Sequence, residues 1–250
     1  PRDLNPQLKQ PWMRFLGTCP GNGIALRNGP HAGRLVVPLY FNNDQNWLAM
    51  CATVAYSDDH GETWQLGRSP NEGRQHPEGE IDPQTFVDET WSLHEAAVVE
   101  RRDGVLLLFM RNQHPRGRVA VSESHDAGQT WGPIRFDEEL PEIWCQPNAI
   151  SLPSTEGEDR IVFANASLML PFRGCGVIRL SLDGGRTWRY SRTLNPGHHV
   201  YQCMCVLPDG RIGILWENEC QGLYFSRLPL SWFSDVVETI DPRQAEEQAS

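Results

Sequence analysis

Ser57-Asp58-Asp59-His60-Gly61-Glu62-Thr63-Trp64 has the form Ser-x-Asp-x-Gly-x-Thr-Trp. The same pattern returns as Ser124-His125-Asp126-Ala127-Gly128-Gln129-Thr130-Trp131 and as Ser181-Leu182-Asp183-Gly184-Gly185-Arg186-Thr187-Trp188. Tryptophan to tryptophan, the intervals are 67 and 57 residues, room for four short strands and their loops. The octet reads as a self-contained β-turn. Its aspartate accepts N–H bonds of its own loop, its glycine takes a positive φ, and its tryptophan packs back on the sheet. These aspartates are therefore structural, and no catalysis is assigned to them.

Outward from the octets, short alternating or apolar runs separated by turn residues fill the chain. Residues 33–41 and 48–57 read as strands. Runs 93–100, 105–111, 118–124 and 130–136 make a four-stranded set, and 145–152, 160–165, 176–181 and 187–192 make a second. Runs 200–207, 211–217 and 222–228 make a third set with three strands only. One short amphipathic helix is expected near 230–237, and 241–250 reads as a frayed tail. This is an all-β chain, and its 22 glycines and 19 prolines suit many turns.

The formal charge of −10 gives a poor field for nucleic acid or an anionic membrane surface. No stretch approaches the ~20 apolar residues of a membrane helix, and Pro1-Arg2-Asp3-Leu4 does not read as the start of a signal peptide. Of 22 basic residues only Lys9 is a lysine, in a context that suits neither a phosphate loop nor a Schiff base. Seven cysteines cannot all pair with one another, and none has zinc-knuckle spacing. All seven are expected as buried thiols, which leans mildly toward a reducing compartment. Neither a cofactor nor a metal is expected.

Three octets in four-stranded units resemble the Asp-boxes of sialidases (neuraminidases), six-bladed β-propellers that remove terminal sialic acids. The segments between them resemble that family in order. They are Phe15-Leu16-Gly17-Thr18-Cys19-Pro20-Gly21-Asn22-Gly23-Ile24 with Gly33-Arg34-Leu35-Val36-Val37-Pro38, and His94-Glu95-Ala96-Ala97-Val98-Val99-Glu100 with Phe109-Met110-Arg111-Asn112. Trp144-Cys145-Gln146, Arg173-Gly174-Cys175-Gly176-Val177 and Val200-Tyr201-Gln202-Cys203 follow. The resemblance implies a six-bladed β-propeller of which this chain covers about four blades, acting on sialylated glycans or free sialic acid.

It also implies roles. Arg111 and Arg173 would be two of three arginines clamping the substrate carboxylate, a task that suits planar guanidinium forks. Tyr201 would be the nucleophile and Glu95 its partner base, the departure sialidases make from the two-carboxylate scheme. The reason is electrostatic: the anomeric carbon of sialic acid bears a carboxylate, so a neutral phenol approaches where an anion would be repelled. Glu217 would brace the first arginine. Trp144 and Gln146 would contribute to substrate binding, Trp144 at the glycerol or N-acetyl pocket, although core packing is an equal reading for Trp144. Asn165-Ala166-Ser167 matches a glycosylation sequon.

Two family landmarks are absent: the Arg-Ile-Pro segment with the first arginine, and the acid/base aspartate after it. The strand sets suggest two full blades, one partial blade at the start and one ending at three strands. Residues 1–250 therefore read as the C-terminal two-thirds of a sialidase propeller, with its N-terminal part as partner. With those blades supplied, the expected activity is exo-α-sialidase by a retaining mechanism. The alternatives are an inactive fragment, a propeller that binds sialic acid without hydrolysis, or a non-enzymatic interaction propeller. The family resemblance implies a secreted or cell-surface protein.

Overall fold

Strands Leu93–Glu100, Leu106–Asn112, Arg118–Ser124 and Arg135–Pro141 pair antiparallel, each with the next, into one four-stranded blade. The run Leu106 to Met110 shows why it is buried on both sides. Leu106, Leu108 and Met110 face one core while Leu107 and Phe109 face another, as the two-residue period of a strand requires. In the computed structural model, residues 1–153, 157–218 and 221–234 are described, and they form four blades of three to five strands in a propeller arrangement.

The first blade orders Phe15–Thr18, Leu35–Asn42, Cys51–Ser57 and Gln65–Leu66, with Ile24–Ala25 added beside Leu35–Val36. The partial blade expected here is thus complete. Its innermost strand is short and contains Gly17, and its outer strand has two residues, so neither displays an alternation. The third blade orders Asn148–Ser151, Ile161–Leu170, Phe172–Ser181 and Tyr190–His198. The fourth has three strands, Gln202–Val206, Ile212–Glu217 and Leu223–Leu228, as the sequence suggested. The first strands of the second, third and fourth blades lie against one another in turn.

Outer strands begin later than expected because the octet tryptophan leaves the sheet to pack on its neighbours. Trp188 is buried with its ring 5.5 Å from Phe163 and 5.9 Å from Phe109. At 230–237 the structure has a 3-10 turn over Leu230–Phe233. Residues 235–237 of that expected span and the 241–250 tail lie outside the described residues.

The octets adopt the turn their sequence dictates. Asp126 accepts from Ser124 Oγ (2.8 Å), Thr130 N (2.8 Å) and Thr130 Oγ1 (2.5 Å). Asp59 and Asp183 repeat these bonds. Gly61, Gly128 and Gly185 take φ of 91°, 92° and 78° and donate to the octet serine. Asp126→Ala is expected to cost roughly 1–3 kcal/mol in thermal melts by stranding these donors.

The Thr63 hydroxyl bond first, then the Thr63 N–H, hold Asp59 down to about 2. This folded value lies below the unfolded one of about 3.9, so the octet's contribution is complete above about pH 4 and fades as pH falls toward about 2.

The cysteines differ from expectation. Cys19, Cys51 and Cys145 are buried, Cys175 and Cys203 half-buried, and Cys205 exposed. Cys205 sits where the first strand of the fourth blade borders a cavity of about 460 Å³, so a strand position there does not imply burial. Cys220 lies outside the described residues. Asn165 is buried, its amide nitrogen donating to Pro141 O at 2.6 Å, so the sequon is closed to glycosylation in the folded chain.

Candidate active site

A register break places the central carboxylate. Leu93 pairs with Asn112 and Ala96 with Met110, so His94 and Glu95 together oppose the single residue Arg111. Such a bulge re-aims a side chain without disturbing the strand beyond it. Glu95 Oε2 accepts from Arg111 Nη1 at 2.6 Å. Tyr201, just before the first strand of the fourth blade, donates its hydroxyl hydrogen to Glu95 Oε1 at 2.7 Å and accepts from Arg111 Nη1 at 3.0 Å. Residues 106 positions apart in sequence thus meet in one hydrogen-bonded triad.

Arg173 joins from the third blade, its guanidinium 5.7 Å from the centre of the Tyr201 ring and 3.9 Å from Cys145 Sγ. A register irregularity between Gly174 and Gly176, with Cys175 at φ 55°, shapes the strand beside it. The Trp144 ring, 44% exposed, lies 4.9 Å from the Arg111 guanidinium, its backbone at φ 61°. Two non-glycine residues in the left-handed region beside one cluster mark a site where backbone strain is retained.

Residues 1–214 match the BNR repeat-like domain. The chain belongs to that family. Its similar proteins include the sialidase of Micromonospora viridifaciens, 30% identical over 94% of this chain and 33% of that protein. The Bacteroides fragilis sialidase is 30% identical over 95% of this chain and 40% of that protein. The solved leech intramolecular trans-sialidase superposes with a TM-score of 0.71 at 25% identity, over 90% of this chain and 33% of that one. The BNR repeat chain therefore spans about a third of the Micromonospora protein and two-fifths of the Bacteroides protein. The sialidase resemblance read from its motifs is borne out.

Within this BNR repeat chain, burial first and then the Glu95 hydrogen bond push the Tyr201 phenol above its ordinary range. At neutral pH the phenol is protonated, and Glu95 is the carboxylate placed to accept its proton. The neighbouring titratable groups His94 and Cys145 are held in their neutral forms. Burial and the Arg111 cation pull His94 down to about 3, and burial pushes Cys145 up to about 12.

Two expected site residues stand differently. Gln146 is fully buried, donating to Pro20 O at 2.7 Å and receiving Gln202 N at 3.4 Å. These bonds tie it to Pro20 and to the fourth-blade strand, and none of its hydrogen bonds is to the triad. Glu217 lies beside the site through its backbone, which exchanges bonds with Val200 and Tyr201 at 3.1 Å. Its carboxylate has no partner among the described residues.

Glu142 is a residue the sequence reading missed. It is buried, Oε1 accepts from Cys145 N at 2.9 Å, and Oε2 has no partner among the described residues. The bond spans Trp144 and holds its turn. Burial pushes the carboxyl up to about 8. A folded value above the unfolded one, about 4.3, means its contribution is intact below about pH 4 and is lost as pH rises through about 8. Glu142→Gln keeps the acceptor and removes the ionisation. It is expected to raise Tm by about 2–4 °C at alkaline pH and to change little in acid. A Glu three residues before a Cys has no sequence signature of its own, so nothing marked it.

Proposed function

We propose that this chain carries the nucleophile and carboxylate-binding part of an exo-α-sialidase centre acting on terminal sialic acids. The observation that carries the reading is the Tyr201–Glu95 hydrogen bond of 2.7 Å with Arg111 on both partners. As the phenol oxygen bonds to the anomeric carbon, its proton passes to Glu95 and the glycosidic bond breaks. The leaving oxygen takes a proton from the acid/base aspartate of the blades this chain is proposed to join. A water then bonds to the anomeric carbon and gives a proton back to that aspartate, while the bond to the Tyr201 oxygen breaks and Glu95 returns its proton to that oxygen, releasing the sugar with retained configuration. Arg111 and Arg173 hold the substrate carboxylate, and the unpartnered Glu217 carboxylate suits a further arginine.

The same reading assigns residues 1–250 to the C-terminal part of a six-bladed propeller, its octets being Asp-boxes. Strand Leu223–Leu228 pairs on one side only among the described residues, and Leu215, Leu223 and Phe225 are exposed. An unpaired edge with apolar faces is what a missing strand would cover.

Incubation with a 2,3-difluorinated sialic acid tests the proposal. Fluoride is a good leaving group, so the step needs no external acid, and the second fluorine slows hydrolysis. A covalent adduct on Tyr201 by peptide mass is expected. Saturable binding without an adduct would favour recognition alone, and an adduct elsewhere would overturn the assignment.

A further inference from the structure

Tyr201 stands between two buried residues whose side chains bond to each other, His199 and Gln202. The imidazole Nε2 and Gln202 Oε1 are 2.8 Å apart. Which of them donates follows from the other end of the amide. Gln202 Nε2 donates to Gln146 O at 3.0 Å and to Ala164 O at 3.3 Å, so its oxygen is the end turned to the ring. An amide oxygen only accepts, and His199 is therefore the Nε2–H tautomer. Burial pulls the imidazole below its ordinary pKa, which keeps that form neutral.

The ring is enclosed on its other sides. It stacks on Trp216 with centres 5.3 Å apart. A Cβ at residue 176 would run into Nδ1, so only glycine at this point of the third blade admits the imidazole. Nδ1 has no partner among the described residues, and in the Nε2–H tautomer it carries no hydrogen to satisfy. The backbone on both sides of the tyrosine is tied as well. His199 N donates to Arg173 O at 3.2 Å, and Gln202 N to Gln146 Oε1 at 3.4 Å.

We propose that His199 and Gln202 are positioning residues for the Tyr201 phenol, their bridge fixing the backbone of the residue between them. The inference rests on the reading of the triad, and it gives neither side chain a contact with substrate. A small rotation of the backbone at 201 is magnified at the far end of the ring, where the 2.7 Å bond to Glu95 must be kept. Misplacing a reacting group by about 1 Å can cost on the order of 100-fold in rate. The bridge opposes that rotation from both sides, and its amide is anchored in turn to the third blade.

NMR on the full chain, labelled with 15N in histidine and 13Cζ in tyrosine, tests this together with the difluorinated sialic acid. Expected in the parent at neutral pH are a protonated Nε2 and a bare Nδ1 at His199. The Tyr201 Cζ signal, assigned by its loss in Tyr201→Phe, should be displaced from that of free tyrosine. Gln202→Met keeps the side chain's length and removes its acceptor and donors. It should move the Tyr201 signal toward the free value and slow adduct formation at least about tenfold, with half-saturation changed less than about threefold. His199→Gln, which can still donate to Gln202, should retain most of the displacement and of the rate. An Nδ1–H tautomer or an imidazolium in the parent overturns the bridge, whether or not any variant folds. A parent-like Tyr201 signal in Gln202→Met, or rate and half-saturation lost in equal measure, overturns the positioning role. Absence of an adduct in the parent overturns the reading of the triad, and the Tyr201 signal then decides the positioning alone.

Discussion

Tyr201→Phe, in the protein completed by its remaining blades, is expected to lower kcat on an aryl sialoside by about 10³-fold or more. The variant keeps the ring beside Arg173 and removes the hydroxyl that donates to Glu95 and accepts from Arg111. KM should stay within about threefold, because the groups assigned to the carboxylate are untouched. Glu95 keeps its 2.6 Å bond to Arg111, so no buried charge is stranded. Retention of a tenth of the parent rate would remove Tyr201 from the nucleophile's role.

Arg111→Ala has the second large effect, and it reaches stability as well as binding. Both members of the Arg111–Glu95 pair are almost wholly shielded from solvent. Removing the cation leaves a carboxylate in a poorly solvated position, at a cost of about 3–5 kcal/mol. Chemical denaturation should register that loss. In the completed protein, KM for a sialoside should rise at least about tenfold as one bidentate contact disappears. Glu95→Gln in the Arg111→Ala background should recover much of the lost stability, because the stranded charge is then gone. Arg111→Lys should fall between, since an ammonium can donate to Glu95 and Tyr201 as Nη1 does but offers no second planar donor for a substrate carboxylate. If Arg111→Ala melts with the parent, the pair contributes nothing to the fold.

The features legible in the sequence were those written as local chemistry. Each octet declares its turn through Ser, Asp, Gly and Thr within eight residues, and the blades followed from their spacing. Tyr201, Glu95, Arg111 and Arg173 were found through motif resemblance, and the fold brings all four together. Short or glycine-bearing strands such as Phe15–Thr18 escaped because four residues show no period. The burial of Gln146 was not legible because a polar residue beside a motif tryptophan carries no sign of which way it turns. Glu142 and the bonds of Gln202 to Gln146 and Ala164 depend on contacts between distant segments, for which a single sequence has no pattern.

The two-against-one pairing at His94 and Glu95 has a consequence for how this centre tolerates change. From Ala96 to Glu100 the strand keeps its ladder with Met110 to Leu106, and that ladder does not depend on the extra residue before it. A chain shortened by one at position 94 could retain the blade while swinging the acidic group out of reach of its phenol. Length polymorphism at this spot would then separate folding competence from chemistry, giving inert but well-formed propellers by a single codon deletion.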